Sequence, residues 1–272
     1  MAKHDLLTEE EFASYKAPAR AVQQLNQFIS AQSKAASQVK VLDWGCGRGR
    51  FVLWLREQGF DAYGVDIDPE PVNNGLPLFE KNGHHNKPLS VISADGRTIY
   101  PDGFFDFVMT DNVLEHVSDL GKVMAEIGRL TSRNGGGYHI FPAQRQFIEG
   151  HLFMPFVHWL PEGGLRKAVI RWYVKMGKEP HWQEVKGQPL GQKAQVYYNY
   201  SADHIFYRPY THIKNQFEQL GFKVTFVSIK NPVVQNHRIL GPLARLSLTK
   251  FMVNWLVLTF KQVELVISRQ SE

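Results

Sequence analysis

The length, composition and charge of the chain exclude several classes of protein before any motif is considered. With 272 residues, 43% hydrophobic and 21% charged, the chain is compositionally globular, and we expect one α/β domain with additional segments. A single cysteine excludes an internal disulfide, and no apolar run follows a basic start, so a cytoplasmic protein is predicted. The formal net charge of +5 is too small an excess to indicate nucleic acid by itself.

The first segment, residues 1–38, is predicted to be a helical cap. Between Ala17 and Ser33, apolar residues recur at the spacing of one helix face, which favours a helix that packs on the following sheet. These apolar positions are Val22, Leu25, Phe28 and Ile29.

A glycine-rich stretch follows the first predicted strand. Residues 39–42 indicate a short buried strand, and DWGCGRGR, residues 43–50, leads into an apolar segment of helical spacing. Glycines let the backbone turn sharply and lie close to a ligand, and free N–H groups at a helix start favour a carboxylate or phosphate. Asp66 stands at the end of a second apolar strand, where its carboxylate can accept hydrogen bonds from both ribose hydroxyls. Together these features predict a ligand that contains adenosine.

The spacing of the glycines distinguishes among adenosine cofactors. A dinucleotide fingerprint that starts at Gly45 needs another glycine where the chain has Arg50, so NAD is disfavoured. The sequence also lacks the phosphate loop G-x-x-x-x-G-K-[ST], so ATP hydrolysis has no support. The pattern DWGCGRG at residues 43–49, with Asp66 behind it, resembles the cofactor loop of class I S-adenosylmethionine-dependent methyltransferases of the small-molecule type. The resemblance runs from about Val39 to Ala143.

This resemblance implies S-adenosylmethionine as the cofactor and a set of residues that bind it. Asp43 would meet the amino group of the methionine part, and Gly45 and Gly47 would let the backbone approach it. Asp66 would hold the ribose, and Cys46 is interpreted as a small residue that fits the loop. The remaining implied members are Gly49 in the loop, Ile67 against the adenine, Asp95 and Gly96 at the adenine edge, and Asn112 through a backbone carbonyl. For Asp95, an ordinary turn aspartate is the alternative interpretation.

The order of the predicted elements favours an α/β fold. Strands alternate with helices, which is typical of a parallel sheet. The strands are predicted at 39–42, 61–65, 89–93, 104–110 and 138–141, with helices at 51–58 and 119–130, a short helix with loops at 73–88 and a glycine turn at 135–137. The resemblance completes this pattern to a Rossmann-like, doubly wound sheet of seven strands, mostly parallel with an antiparallel last strand, whose cofactor-binding core is residues 39–142.

Residues 143–200 leave this alternation and are predicted to be an aromatic-rich insertion after the fifth strand. Phenylalanine, tryptophan, tyrosine and histidine accumulate in it, so the segment is too aromatic for disorder. We expect it to act as a lid that forms the acceptor site.

Three histidines are candidates for a general base that would deprotonate the acceptor. A histidine has a pKa near ambient pH and suits this role. His116 follows the fourth predicted strand in the motif E-H-V, which is frequent in small-molecule methyltransferases. His151 and His158 are seven residues apart in the insertion and would share a helix face if Pro155 permits. No metal site is predicted, because the chain has one cysteine and no close pattern of carboxylates.

The last segment, residues 201–272, is predicted to complete the core. A helix at 210–220, a strand at 222–230 and a final antiparallel strand at 263–268 are expected. Between them, residues 239–260 are apolar and helical, but the uninterrupted run is too short to cross a bilayer. This helix either belongs to the core or a homodimer interface, or it lies on an anionic membrane.

The sequence therefore predicts a methyltransferase that moves a methyl group from S-adenosylmethionine to a small-molecule or glycan acceptor, most simply at oxygen. The transfer would be an in-line displacement assisted by a histidine base. The aromatic insertion suits a sugar ring, and a lipid-linked or quinone-like acceptor is an alternative. RNA is a further alternative, although no cluster of lysine and arginine supports nucleic acid. A non-catalytic protein that binds the cofactor as a scaffold is the remaining hypothesis.

Overall fold

A computed structural model describes residues 5–269, which contain one seven-stranded sheet with helices packed on both faces. The predicted segments 1–38 and 201–272 include residues 1–4 and 270–272, which lie outside the described residues. The strands are β1 (Lys40–Trp44), β2 (Asp61–Asp66), β3 (Leu89–Val91), β4 (Phe105–Asp111), β5 (Thr131–Pro142), β6 (Phe222–Phe226) and β7 (Gln262–Arg269).

The strand order confirms the predicted fold class. In space the strands run β3-β2-β1-β4-β5-β7-β6, and the first five pair in parallel. Strand β7 lies between β5 and β6 and is antiparallel to both. Because the order reverses between β1 and β4, a crevice opens at the carboxyl ends of these strands, where doubly wound sheets bind ligands.

Helices cover the sheet because each presents an apolar stripe to one face of it. The helices are α1 (Glu9–Ala13), α2 (Ala19–Gln32), α3 (Arg50–Glu57), α4 (Pro69–Lys81), α5 (Leu120–Leu130), α6 (Gly164–Lys175), α7 (Leu190–Asp203), α8 (Tyr210–Gln219), α9 (Pro232–Gln235), α10 (Leu240–Arg245) and α11 (Ser247–Phe260). One buried cluster joins α2, α3 and α4 to the sheet, through residues such as Leu25, Leu53 and Phe79. A second cluster packs α5, α8 and α11 on the sheet through Ile127, Phe217 and Leu258.

The prediction for the fifth strand was wrong at its beginning. The glycines at 135–137, predicted as a turn, lie inside β5, which starts at Thr131. A Cβ at Gly137 would overlap the carbonyl oxygen of Val108 on the neighbouring strand. The glycines therefore allow close approach of adjacent backbones within the sheet, a role that sequence alone does not separate from a turn.

The segment after β2 was also predicted wrongly. Residues 73–88 were expected to be a short helix with loops, but α4 runs through both Gly75 and Pro77. Its start is well formed, because the Asp68 side chain accepts a hydrogen bond from the Glu70 backbone N–H at 3.0 Å. Burial of one face against the sheet outweighs the helix-breaking tendency of the two internal residues.

Residues 143–200 contain two helices that the sequence did not predict, α6 and α7, which pack against each other. The segment has its own buried cluster, separate from the two that cover the sheet. Its members are Leu152, Met154, Val157, Ile170, Val174, Val185, Ala194 and Tyr197. Tyr197 inside this cluster, and aromatic side chains such as Trp182 packed against it, show that part of the aromatic content serves packing.

The C-terminal part contains two further differences from the prediction. Strand β6 ends at Phe226 and is followed by a 3₁₀ turn at Ser228–Lys230, and the helix expected over 239–260 is divided into α10 and α11 at Leu246. The final strand is antiparallel as expected. Within residues 5–269, no helix has both the length and the hydropathy that a membrane span requires.

Candidate active site

The glycine loop leaves β1 and turns back over the end of β2. The backbone N–H groups of Gly45 and Cys46 both donate to the Val65 carbonyl, at 2.7 and 3.0 Å. Gly45 has φ +85°, and a Cβ there would collide with Val113. Glycine is therefore required at this position both by the backbone conformation and by space. The loop ends at Gly49, directly before the first residue of α3.

Asp66 is held against this loop by two backbone hydrogen bonds. Gly47 N donates to one carboxylate oxygen at 2.8 Å, and Asp68 N donates to the other at 3.0 Å. Space is open beside Gly47, since a Cβ built there would meet no atom within 4 Å. The neighbouring Ile67 is 75% exposed, which is unusual for an isoleucine and suits contact with a planar ring. Gly47, Asp66, Ile67 and Asp68 form an open site at the carboxyl ends of β1 and β2, which we call the cradle.

Three carboxylates meet at the base of this cradle. Burial and, to a smaller extent, the negative charges of Asp111 and Asp66 together raise the pKa of Asp43 to about 7. A positively charged ligand would relieve this repulsion and favour the ionised carboxylate. S-adenosylmethionine carries two positive groups, a sulfonium and an ammonium, so the residues present fit this cofactor.

The N-terminal segment contributes residues that the sequence did not predict for the site. The Tyr15 ring lies 5.4 Å from the Arg50 guanidinium carbon, and burial and, to a smaller extent, the Asp43 charge raise the pKa of the Tyr15 phenol. Glu11 on α1 pairs with Arg48 in the glycine loop and lies 3.3 Å from Arg50. Ion pairs between side chains, as well as apolar packing, therefore hold the helical cap against the glycine loop.

Asp95 and Gly96 lie in an exposed turn after β3. The Ser93 hydroxyl and the Arg97 N–H both donate to Asp95 Oδ1, at 2.6 and 3.1 Å, and these bonds hold the pKa of Asp95 below its usual value. Asp95 therefore does stabilise its own turn, as the alternative interpretation expected. Both bonds use one oxygen, so the other can still accept a hydrogen bond from a ligand.

Asn112 occupies a strained position at the end of β4. Its φ of +51° is in the left-handed region, and its backbone N–H donates to the Ile140 carbonyl at 2.9 Å. Its side chain donates to Asp111 at 2.7 Å. Such strain is common where backbone is shaped around a ligand. Asn112 also borders a cavity of about 650 Å³.

This cavity is lined by side chains from three parts of the chain. Its lining combines polar groups near Asn112 in sequence, such as Glu115, with side chains from the insertion and the C-terminal helices. The apolar side chains in the lining are Phe147, Ile148, Val233, Val234, Val257 and Phe260. A second cavity of about 810 Å³ lies on the other side of His151 and includes Trp182 and Tyr200.

His151 forms a hydrogen-bonded pair with a buried carboxylate. Its Nδ1 lies 2.9 Å from Oε1 of Glu149, which is fully buried and also accepts a bond from the Tyr207 hydroxyl at 2.6 Å. Burial lowers the pKa of His151, but the hydrogen bond and negative charge of Glu149 outweigh this effect and raise the pKa above its ordinary value. The Glu115 charge acts in the same direction. Because Nδ1 is engaged, Nε2 is the atom free to contact a ligand.

Glu115 lies beside this pair and has no hydrogen-bond partner for either carboxylate oxygen among the described residues, although it is buried. Burial raises its pKa to about 7. His116, in the same 3₁₀ turn, uses Nδ1 to contact the His204 carbonyl at 2.7 Å. Ligand atoms of Glu115, His116 and His151 all lie within 4.8 Å of one another, so these residues could hold a metal ion although the sequence predicted no metal site. Because their ligand atoms lie this close together, Glu115, His116 and His151 can also share a proton.

His158 is placed differently from the prediction. His151 and His158 do not share a helix face, because residues 146–156 form turns with a bridge between Ile148 and Pro155, and His158 lies in a separate 3₁₀ turn. The ring of His158 is 5.1 Å from that of Tyr207, and burial lowers its pKa. It is not among the residues that line either cavity.

Two residues of this arrangement had no sequence signal. Glu149 is two positions from His151, a spacing that does not share a helix face, and the sequence predicted no strand in this segment. Tyr207 is 58 positions from Glu149 and reaches it only through packing of the insertion on the sheet. Glu115, in contrast, did have a sequence signal, because it is the first residue of the E-H-V motif that contains His116.

Comparison with known proteins agrees with this geometry. A family model described as "Methyltransferase domain" matches residues 12–227. The ubiquinone biosynthesis O-methyltransferase of Methylococcus capsulatus is 33% identical over 113 residues, which make up 40% of this chain and 45% of that relative. The norajmaline N-methyltransferase of Rauvolfia serpentina is 28% identical over 44% of this chain and 41% of its own length. The chain thus spans less than half the length of these two relatives.

Solved structures share the fold at low identity. Phosphoethanolamine N-methyltransferase 2 of Haemonchus contortus, in complex with S-adenosyl-L-methionine, superposes with a TM-score of 0.54 at 12% identity, over 97% of this chain and 58% of that one. PKMT2 of Rickettsia typhi, in complex with S-adenosylhomocysteine, has a TM-score of 0.55 at 15% identity, over 88% and 50% of the two chains. At these identities the likeness concerns the fold.

Proposed function

The chain belongs to the methyltransferase-domain family of S-adenosylmethionine-dependent enzymes, and from this premise we propose that it methylates a hydroxyl oxygen of an apolar small molecule, with His151 as the general base. The observation that carries this proposal is the Glu149–His151 pair, whose free Nε2 borders the cavity next to Asn112.

The cofactor half of the proposal assigns each residue of the cradle a role. When bound, S-adenosylmethionine supplies a methyl group on a sulfonium sulfur, which departs as a neutral thioether. Asp43 would accept a hydrogen bond from the amino group and Asp66 from the ribose, while Ile67 would pack on the adenine. Holding the reacting groups in line can supply of order 7–11 kcal/mol at best.

The acceptor half depends on proton removal. A hydroxyl is a poor nucleophile until a base takes its proton, whereas a neutral amine already has a free lone pair. Glu149 would orient the His151 ring and stabilise the imidazolium that forms, as a carboxylate does in a hydrolase triad. The presence of an oriented base therefore favours oxygen over nitrogen as the methylated atom. The O-methyltransferase relative from Methylococcus capsulatus is in line with this choice.

The cavity lining favours an apolar acceptor over a glycan. Sugars commonly stack on tryptophan or tyrosine, but the aromatic rings in the lining of the cavity beside Asn112 are Phe147 and Phe260. Aliphatic side chains such as Val257 supply most of the remaining apolar surface. We therefore favour a hydroxylated ring with an apolar substituent, which includes the lipid-linked and quinone-like alternatives.

A transfer assay with methyl-labelled S-adenosylmethionine tests the proposal. The purified chain would be incubated with cell extract, which is then separated into organic-soluble, glycan and RNA fractions. We expect label in the organic-soluble fraction, in a product that resists mild base as a methyl ether does. Label in the glycan or RNA fraction would contradict the acceptor class. Cofactor binding by calorimetry without label in any fraction would contradict the proposed transfer.

A further inference from the structure

One face of helix α11 is apolar and exposed. Its members are Leu248, Phe251, Met252 and Trp255, and we call them the α11 face. Leu248 is 95% exposed and Phe251 is 82% exposed, values that are rare for large apolar side chains. Their spacing of three, one and three residues places them on one side of the helix. The α11 face is therefore a continuous stripe and not a set of scattered exposed residues.

The opposite side of α11 already packs on the protein. Val253 and Val257 are buried in a cluster with α9 and α10, and Leu258 is buried in the cluster that covers the sheet. The α11 face therefore takes no part in the packing that holds α11 on the protein. Contiguous exposed apolar surface of this kind marks a site of contact with a partner or a membrane.

Within the stretch of sequence that contains the α11 face, every charged residue is a lysine or an arginine. From Lys230 to Val263 the sequence contains five lysines and arginines and no aspartate or glutamate. All five are exposed, and within the described part of the chain none forms an ion pair with a carboxylate. They are Lys230, Arg238, Arg245, Lys250 and Lys261. Each such charge near an anionic lipid surface contributes about a fivefold increase in binding.

The apolar surface continues from α11 to the mouth of the acceptor cavity. Trp255 contacts Phe260 with ring centroids 6.0 Å apart, and Phe260 stacks on Phe147 at 5.3 Å. Phe147 also lies 6.1 Å from Trp159, which is exposed. Phe260 and Phe147 both line the cavity next to Asn112. A molecule that leaves an apolar phase at the α11 face would therefore meet Trp255, Phe260 and Phe147 in turn before it reaches the polar groups of the cavity.

We propose that the α11 face docks on an anionic lipid bilayer and that the acceptor enters the cavity from that bilayer. The first part is independent of catalysis, and the second rests on the proposed function. Apolar side chains would insert at the level of the headgroups while the five cations contact lipid phosphates. A second copy of the chain is the less suitable occupant. A symmetric interface would bring this patch against itself, and the patch offers no carboxylate to its own positive charges.

Vesicle co-sedimentation tests the docking without cofactor or acceptor. The full chain would be mixed with vesicles of phosphatidylcholine, or of phosphatidylcholine with phosphatidylglycerol. We expect binding to the anionic vesicles, weakened by salt. Replacing Leu248 and Phe251 by serine should reduce binding about tenfold or more, since two apolar side chains no longer leave water. Replacing all five lysines and arginines by glutamine should abolish the preference for anionic vesicles and the sensitivity to salt.

The matched control is Ile99→Ser, because Ile99 is 66% exposed and lies outside α9, α10 and α11. This variant should bind vesicles like the original chain. Equal binding to both vesicle types, or unchanged binding of the Leu248 and Phe251 variant, would overturn the proposal. Light scattering that shows a dimer abolished by the same two substitutions, with no vesicle binding, would assign the face to a second copy instead. Because no methyl transfer is measured, failure here is distinct from failure of the proposed function.

Discussion

At the residue scale, three carboxylates show how the surroundings of a side chain set its pKa and therefore its role. Hydrogen bonds from His151, Tyr207 and Leu152 outweigh the effect of burial and hold the pKa of Glu149 below its ordinary value. Glu149 is therefore ionised and suited to orient a base. Burial raises the pKa values of Asp43 and Glu115 to about 7, so these groups are suited to meet a cation or share a proton.

Substitution of the proposed base should change both rate and pH dependence. The base acts as neutral His151, so kcat/KM should rise as pH increases through its pKa, which Glu149 holds above about 6.5. Glu149→Gln removes the negative charge and should move this rise to lower pH while lowering the plateau. His151→Gln should lower kcat by about a hundredfold or more, without loss of cofactor binding in calorimetry. The groups that face His151 are Glu149, Glu115, His116, Tyr200 and Tyr207.

The control for this prediction is His212→Gln, because His212 is an exposed histidine on α8 and should be kinetically silent. Dialysis against a chelator separates a base from a metal ligand. Activity should survive this treatment. Loss of activity that a divalent cation restores would assign Glu115, His116 and His151 to a metal site and contradict the base.

Asp66 carries the prediction for the cofactor. Asp66→Ala should weaken S-adenosylmethionine binding roughly tenfold to a hundredfold, since a hydrogen bond to a charged group contributes about 1.5–3 kcal/mol. Isothermal calorimetry measures the change. Asp61→Ala, at the other end of the same strand, should leave the affinity unchanged. Equal affinity in both variants would contradict the proposed ribose contact.

At the scale of elements, α4 is shaped by its contact with the glycine loop. A Cβ at Gly75 would overlap the Arg48 carbonyl oxygen, so this helix approaches the loop more closely than any other residue allows. The helix then positions the end of β2, where Asp66 lies. Local helix propensity is therefore secondary here to the fit between two neighbouring segments.

Gly75→Ala should destabilise the fold, although alanine is the better helix former. We expect a loss of about 1–3 kcal/mol in the free energy of unfolding, because the added methyl has no space. Gly191→Ala is the matched control, since Gly191 is also helical and its Cβ would meet nothing within 4 Å. That variant should be neutral or slightly stabilising. Urea denaturation compares the two, and a stabilised Gly75→Ala would show that the contact is not tight.

At the scale of the whole molecule, a buried ion pair joins the two ends of the chain. Arg20 on α2 lies 2.7 Å from Glu264 on β7, 244 positions away, and both side chains are largely buried. The Tyr138 hydroxyl donates to the same carboxylate at 3.0 Å. The cap, the fifth strand and the last strand are thereby connected at Glu264, which also lines the cavity beside Asn112.

Arg20→Met should lower the free energy of unfolding by roughly 3 kcal/mol, because Glu264 would remain buried without its cation. Lys34→Met provides the comparison, since the Lys34–Asp106 pair is considerably more exposed. Its loss should change stability by less than about 1 kcal/mol. Thermal and urea unfolding of both variants give the two values. Equal losses in the free energy of unfolding for the two variants would indicate that burial does not increase the cost of breaking the Arg20–Glu264 pair.

Patterns within single helices, strands and turns were sufficient to predict the fold class and the kind of ligand. The glycine loop, Asp66 and the alternation of strands with helices predicted an α/β fold and a ligand that contains adenosine, because strand and helix periodicities and tight turns are encoded locally. The resemblance that these residues carry implied S-adenosylmethionine as that ligand. The antiparallel last strand also followed from the family resemblance that these residues carry.

Tertiary structure decided the features that depend on which distant segments touch. Glycines 135–137 lie inside a strand because a neighbouring backbone is close, and α4 continues through Pro77 because its buried face holds it. The contact of Glu149 with Tyr207 joins residues 58 positions apart and arises only through tertiary packing. Sequence periodicity shows which face of a helix or strand is buried. It does not show which side chain, tens of residues away in the chain, contacts that face.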